Sequence, residues 1–152
     1  MAAWITIYVK SGKPVPGAAT IHAELMSDWS TLGESIGLED VEVDTFMAAL
    51  VWSNEPSRVG QPNKRPLQVH VWTDPALVHI ELDELSNVLA SVHLDGITTV
   101  VALELGISQL DTMLEVVGFE IAYWLAEHHD GVIKADNGAW FDHDTHRWDP
   151  YT

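Results

Sequence analysis

Residues 97–105, Ile97-Thr98-Thr99-Val100-Val101-Ala102-Leu103-Glu104-Leu105, form a nearly continuous β-prone run without polar alternation. Such a run suits a strand covered on both faces, which places it at the centre of a sheet. After Gly106 and Ser108, the residues Ile107, Leu110, Leu114, Val117, Ile121, Trp124 and His128 recur at alternating steps of three and four. That spacing predicts a long amphipathic helix, with Val116, Phe119 and Tyr123 widening its apolar face and Gly131 ending it. A buried strand leading into a helix that packs back on the sheet is the nucleus of an α+β domain.

Downstream, Val132-Ile133 and Ala139-Trp140-Phe141 flank Asp136-Asn137-Gly138. Asn-Gly suits turn positions that need positive φ, so a terminal hairpin is expected, followed by a polar, aromatic tail over 142–152 that frays. Upstream, Leu67, Val69 and Val71 alternate with Gln68, His70 and Trp72, while Val78, Ile80 and Leu82 alternate with His79, Glu81 and Asp83. Thr73-Asp74-Pro75-Ala76 between them has Asp and Pro where a type I turn wants them. The two runs therefore read as a β-hairpin in which Val71 meets Val78, Val69 meets Ile80, and His70 stands opposite His79.

The remaining elements follow from the same rules. Trp4 to Val9 reads as a strand, closed by Ser11-Gly12-Lys13-Pro14 and Pro16-Gly17. Ala18 to Ser35 reads as a helix carrying Ile21, Leu25, Trp29 and Leu32 on one face, and Glu84 to Leu94 as a short helix closed by Asp95-Gly96. Residues 45–52 fit either helix or strand, and strand is preferred because the hairpin offers an edge to join. Residues 53–66 hold three prolines and a glycine, together with Arg58, Lys64 and Arg65, and are expected to form a mobile, locally cationic loop. The whole, residues 1–152, is expected to be a single α+β domain: a mainly antiparallel sheet of five to seven strands with two or three helices packed chiefly on one face.

Composition narrows the function. The chain of 152 residues carries 7 Lys plus Arg against 23 Asp plus Glu, a formal charge of −16, and 47% of it is apolar. This is enough to fill a core, which argues against intrinsic disorder. The acidic field repels phosphate backbones and anionic lipid, so nucleic-acid and membrane-surface partners are disfavoured and basic partners favoured. With no cysteine there are no disulfides, thiolate metal sites or thiol nucleophiles. Lys10 follows the first apolar run instead of preceding it, the reverse of a secretory signal, and every apolar stretch is interrupted before the roughly 18 residues a membrane span requires. A cytoplasmic protein is expected.

No Gly-x-Ser-x-Gly, Gly-x-x-x-x-Gly-Lys or Gly-x-Gly-x-x-Gly motif occurs, so neither nucleophilic-elbow nor phosphate-cradling chemistry is indicated. His128, His129, Asp130, Asp136, Asp142, His143, Asp144 and His146 form a cluster by composition, but without the helical His spacing that makes ligands converge on zinc. A metal-dependent hydrolase using this group, or His70, His79 and Glu81, is the enzyme alternative. Glu104 and Glu120 sit among apolar neighbours where desolvation would raise a carboxyl pKa. No cofactor is called for. A nucleic-acid mimic would repeat its carboxylates at phosphate-like intervals, whereas here they are scattered.

The sharper hint is Glu34, Glu39, Asp40, Glu42 and Asp44, five carboxylates within eleven residues around the Gly33 to Gly37 turn. Together with an outward Trp72, which is costly to leave wet, they suggest a surface that docks a basic protein. Sheet edges beside the 53–66 loop also offer a route to dimers by sheet extension.

The run Ile121-Ala122-Tyr123-Trp124-Leu125-Ala126-Glu127, followed by Asp130-Gly131-Val132-Ile133 and Asn137-Gly138-Ala139-Trp140, resembles the endings of small acidic α+β immunity proteins that bacteria pair with polymorphic or contact-delivered toxins. The likeness covers about twenty residues and includes the compactness, the acidity and the lack of a catalytic motif. It implies a toxin-binding inhibitor without enzymatic activity, working through acidic and aromatic surface residues, and it carries over no individual functional residue.

Overall fold

A computed structural model describes residues 2–10, 18–35, 37, 50–52, 67–85, 93–106, 113–142 and 145–149. The elements are β1 (Ala2–Lys10), α1 (Ala18–Ser35), β2 (Leu50–Trp52), β3 (Leu67–Trp72), α2 (Pro75–Asp83), β4 (Ile97–Gly106), α3 (Met113–His129), β5 (Gly131–Lys134), β6 (Trp140–Asp142) and β7 (Arg147–Asp149). They build one seven-stranded sheet in the order β2-β3-β4-β1-β5-β6-β7. Every neighbouring pair is antiparallel except β2 on β3, which is parallel. The α+β architecture expected from the sequence is therefore the one observed.

The heart of the sheet is the β1–β4 ladder, which runs from Ala2 opposite Gly106 to Lys10 opposite Ile97 with a register shift after Val9. Strict alternation along β1 sends Ile5, Ile7 and Val9 to one face and Trp4, Thr6 and Tyr8 to the other. The first set joins Val69, Val71, Val101, Leu103, Leu105 and Ile133 in the main core, closed by Ile21 and Leu25 of α1 and by Val117, Ile121 and Leu125 of α3. At about 1.5–3 kcal/mol for each large aliphatic side chain taken out of water, this layer dominates the stabilising terms. β4 is buried on both faces from Thr99 to Leu103, as its unbroken apolar run requires.

On the opposite face lies a smaller cluster of Tyr8, Val78, Val100 and Trp140, with Trp72, Leu82, Leu85, Ile97 and Val132 packed against it. Its cover is α2, where the sequence reading needs correction. Residues 78–83 do not form a hairpin strand; β3 instead pairs antiparallel with β4, Val71 opposite Val101 and His70 opposite Ala102. Asp74 and Pro75, read as turn residues, are the N-cap and first residue of a helix, the Asp74 carboxylate accepting a hydrogen bond from the Ala76 N–H at 2.9 Å. Proline at that position is pre-organised for helix and lacks only an N–H that would go unused. The apolar pattern was ambiguous because Val78 and Leu82 fit both periods, and Leu85 extends the helical one. Ile80, inward in the strand reading, is half exposed. Of the helix expected over 84–94, Glu84 is the C-cap of α2, and residues 86–92 lie outside the described residues.

Elsewhere the correspondence is close. α1 has the expected bounds, and residues 50–52 of the ambiguous 45–52 stretch are strand, joining the edge of β3. The terminal hairpin forms over β5 and β6, with Gly138 alone at positive φ (+89°) after a turn closed by the Gly138 N–H on the Ala135 carbonyl at 3.0 Å. The tail is not frayed throughout, because Arg147–Asp149 pairs with β6 and adds a seventh strand. Among the described residues no helix is long and apolar enough to cross a membrane. The 53–66 loop lies outside the described residues.

Two substitutions test this packing. A Cβ on Gly131 would stand 3.0 Å from Ile7 Cγ2 and 3.2 Å from the Ala126 backbone, so Gly131→Ala should destabilise by about 1–3 kcal/mol in chemical denaturation. Asp74→Ala removes the α2 cap and should cost about 1 kcal/mol by the same measurement.

Candidate functional site

Among the described residues α2 is the helix that packs on the second sheet face, and beside its C-terminal end lies a cleft of about 480 Å3. Its floor is Thr6 and Ala102, small side chains on the two central strands. Trp4, Tyr8 and Trp72 form the aromatic walls, and the end of α2 brings Glu81, Glu84 and Leu85 to one side. Lys134 and Asp136, from the β5–β6 hairpin, stand on the other. The pleat explains the set: Trp4, Thr6 and Tyr8 alternate with the core residues of β1, and Ala102 and Lys134 are both cross-strand partners of Thr6.

Ala102 has a further consequence. With no bulk above it on β4, the imidazole of His70 on β3 reaches Trp4 on β1, with ring centres 5.5 Å apart. The same imidazole stacks nearly parallel on Trp72 at 6.1 Å. Trp4, His70 and Trp72 thus make a continuous row of rings across three strands. His70 Nε2 lies 3.0 Å from a carboxylate oxygen of Glu104, which holds the ring in this row. Asp136 is likewise fixed, its carboxylate accepting the Trp4 backbone N–H at 3.1 Å.

Electrostatically the cleft is negative, with Glu81, Glu84 and Asp136 against Lys134 in its lining. Burial, and secondarily the charge of Glu81, hold the Tyr8 phenol well above the ordinary tyrosine range, because both disfavour a phenolate there.

The residues singled out from sequence are dispersed unevenly. Trp72 and Glu81 both line the cleft, and His70 stacks behind Trp72. His79 is not opposite His70; it projects from α2, largely exposed, onto Asp83 at 3.1 Å, so the proposed trio of His70, His79 and Glu81 is not assembled. The reason is the helix that replaces the second hairpin strand. Glu34 is exposed at the end of α1, while Glu39, Asp40, Glu42 and Asp44 lie outside the described residues.

His128 and His129 join α3 to α1. His129 meets Glu24 at 2.7 Å, and His128 contacts Asp28 at 3.3 Å and the Trp124 carbonyl at 2.9 Å. The Trp124 indole N–H donates to the same Asp28 carboxylate at 3.0 Å. His146 stands edge-on to Phe141, and His143 and Asp144 lie outside the described residues. Among the described residues no three His, Asp or Glu side chains converge in a way that would hold a metal ion. Glu120 borders a second hollow of about 410 Å3 between α1 and α3, and burial raises its carboxyl pKa, as its apolar neighbours suggested. Trp4, Tyr8 and Glu84 were missed as site residues, and Asp136 was singled out only as a member of the C-terminal His/Asp group. The signal for the first two was present in the alternation of β1, which defines a second sheet face as clearly as it defines the core.

Because the folded protein holds the Tyr8 proton while the unfolded chain releases it near pH 10, the stability this supplies is complete below pH about 10 and declines at higher pH. Burial raises Tyr123 in the same direction. Denaturant midpoints measured between pH 8 and 11.5 should fall along the alkaline limb, and Tyr8→Phe should flatten that fall in part, leaving the share due to Tyr123. Compared with protein-family models, with curated proteins and with solved structures, the chain gives no match in any of the three.

Proposed function

We propose that this chain is an acidic protein-binding module that occludes a basic partner, in the manner of the immunity proteins that its C-terminal sequence resembles. The observation that supports this reading best is the aromatic, carboxylate-rimmed cleft on the second face of the sheet. Trp and Tyr side chains contribute large contact areas at low conformational-entropy cost and recur as anchors in protein interfaces. Here Trp4, Tyr8 and Trp72 are presented on strands of the central sheet, so their positions are set before a partner arrives.

The charge of the chain, −16, acts at longer range. It draws a cationic surface toward the protein and raises the encounter rate, while the rings of the cleft slow dissociation. Glu34, with Glu39, Asp40, Glu42 and Asp44, adds to that field. Function then consists of covering the partner's cationic surface, and it asks no bond-making of the chain.

The reading is tested by placing a photo-crosslinker at Thr73 or Asn137, exposed neighbours of the lining residues Trp72 and Asp136, and at Thr145 as a remote control, in protein exposed to a cell extract. The expected product is a basic protein, crosslinked from the cleft positions and not from Thr145. With the captured partner purified, Trp72→Ala should weaken binding by about 2 kcal/mol or more, roughly thirtyfold. Raising salt from 50 to 300 mM should slow association about tenfold. A partner that is acidic, or one that binds the Trp72→Ala variant as tightly as the parent, overturns the proposal.

A further inference from the structure

Resting on that reading, we infer that the group taken into the cleft is an arginine side chain of the partner protein, with its guanidinium on the Trp72 side, next to Glu81 and Glu84. Four features of the cleft converge on this chemistry. The first is charge placement. Glu81 and Glu84 are three residues apart at the end of α2, so both carboxylates leave the same side of the helix and border the cleft together. At the other end Lys134 and Asp136 balance formally, which leaves the α2 end as the negative pole.

The second is the helix itself. The cleft receives the C-terminal end of α2, where the backbone dipole favours a cation, and the last turn of α2 has no basic residue to answer it. The third is shape. Trp72 stacks on His70 with an angle of 11° between the rings, so a flat aromatic surface is already held in place beside the carboxylates. A planar guanidinium stacks on such a surface and is more weakly hydrated than an ammonium, so it gives up less on leaving water; a lysine matches neither property. Leu85 and Ala102 supply apolar surface for the methylene stem. The fourth is the proximity of Glu81 to Tyr8: the carboxylate is near enough to oppose ionisation of the phenol, which brings its negative charge to the edge of an aromatic wall.

The occupant is part of a protein and not a free metabolite because the cleft opens onto the ring row Trp4, His70 and Trp72, which extends across three strands. A single small guanidinium would leave the exposed edges of that row uncovered, whereas a partner chain carrying the arginine continues over them.

The test is an NMR titration of the full-length protein, following the indole N–H signals of Trp4 and Trp72, with capped peptides that differ at one position: arginine, lysine, or citrulline as the neutral isostere. Free arginine amide is titrated in parallel. The arginine peptide should move the Trp72 signal and bind at least fivefold more tightly than the lysine peptide, with no binding of the citrulline peptide and weaker binding of arginine amide. Glu81→Gln with Glu84→Gln, which preserves shape, should weaken the arginine peptide at least tenfold, and Trp72→Phe should weaken it less than Trp72→Ala. Equal binding of lysine and arginine peptides overturns the arginine assignment while the cationic-partner reading stands. Binding of citrulline equal to arginine overturns both. Arginine amide binding as tightly as the peptide shows a free ligand and overturns the assignment to a partner side chain. If no peptide moves Trp72 while the crosslinked partner still requires it, the arginine assignment alone is overturned.

Discussion

The pairing of β1 with β4 is the constraint on which the rest of the molecule depends. It joins a strand from the beginning of the chain to one nearly a hundred residues later, over nine registered pairs, and its register decides which side chains share a face. Once Ile5 and Ile7 stand beside Leu103 and Val101, the odd-numbered face is committed to the helices α1 and α3. The other face inherits Trp4, Thr6, Tyr8, Ala102 and Glu104 together. A slip by one residue would exchange the two sets and bury Glu104 under α3, which the pleat makes prohibitively costly. The cleft is thus a by-product of the same register that makes the core.

The two faces differ in how they are covered. α3 packs close along β1, helped by Gly118, where an added Cβ would stand 3.4 Å from Ile5 Cδ1. On the second face the nine-residue α2 reaches only far enough to seal Tyr8, Val100 and Trp140 with Val78. Trp4, Thr6 and Trp72 stay partly exposed there, over a buried Ala102, on the same surface that receives the end of that helix. A binding surface built on central strands has the rigidity that a loop-borne site lacks, and its rings need little ordering on association.

A chain with so few lysines and arginines must satisfy its carboxylates by other means, and the histidines do this at several places. Glu104 faces His70, Asp28 faces His128 and the Trp124 indole, Glu24 faces His129, and Asp83 faces His79. The partly buried contacts matter most, since they orient aromatic neighbours: His70 lies between Trp4 and Trp72, and His128 stacks on Trp124 at 4.5 Å. The exposed His79–Asp83 pair adds little to stability, as solvent-screened pairs generally do. Among the described residues these histidines contribute to packing and ring placement.

Sequence by itself determined the elements whose periodicity was unambiguous. The unbroken run of β4, the three-and-four stripe of α3, the alternation of β1 and the Gly138 turn each carry a local physical reason for one conformation, and all four formed, the stripe from Met113 onward with residues 107–112 outside the described residues. Where a segment suited two periods, neighbours chose. Residues 75–83 carry an apolar pattern compatible with strand or helix, and Asp74-Pro75 serves equally as a turn or a helix start; the decision fell to helix because β4 supplied β3 with a partner and the second sheet face needed cover. That choice separated His70 from His79 and moved Glu81 and Glu84 to the mouth of a cleft beside Trp72. Such a site joins β1, β3, β4, the end of α2 and the β5–β6 hairpin, and only tertiary structure brings together side chains that far apart in the chain, because no local spacing rule records which strands become neighbours.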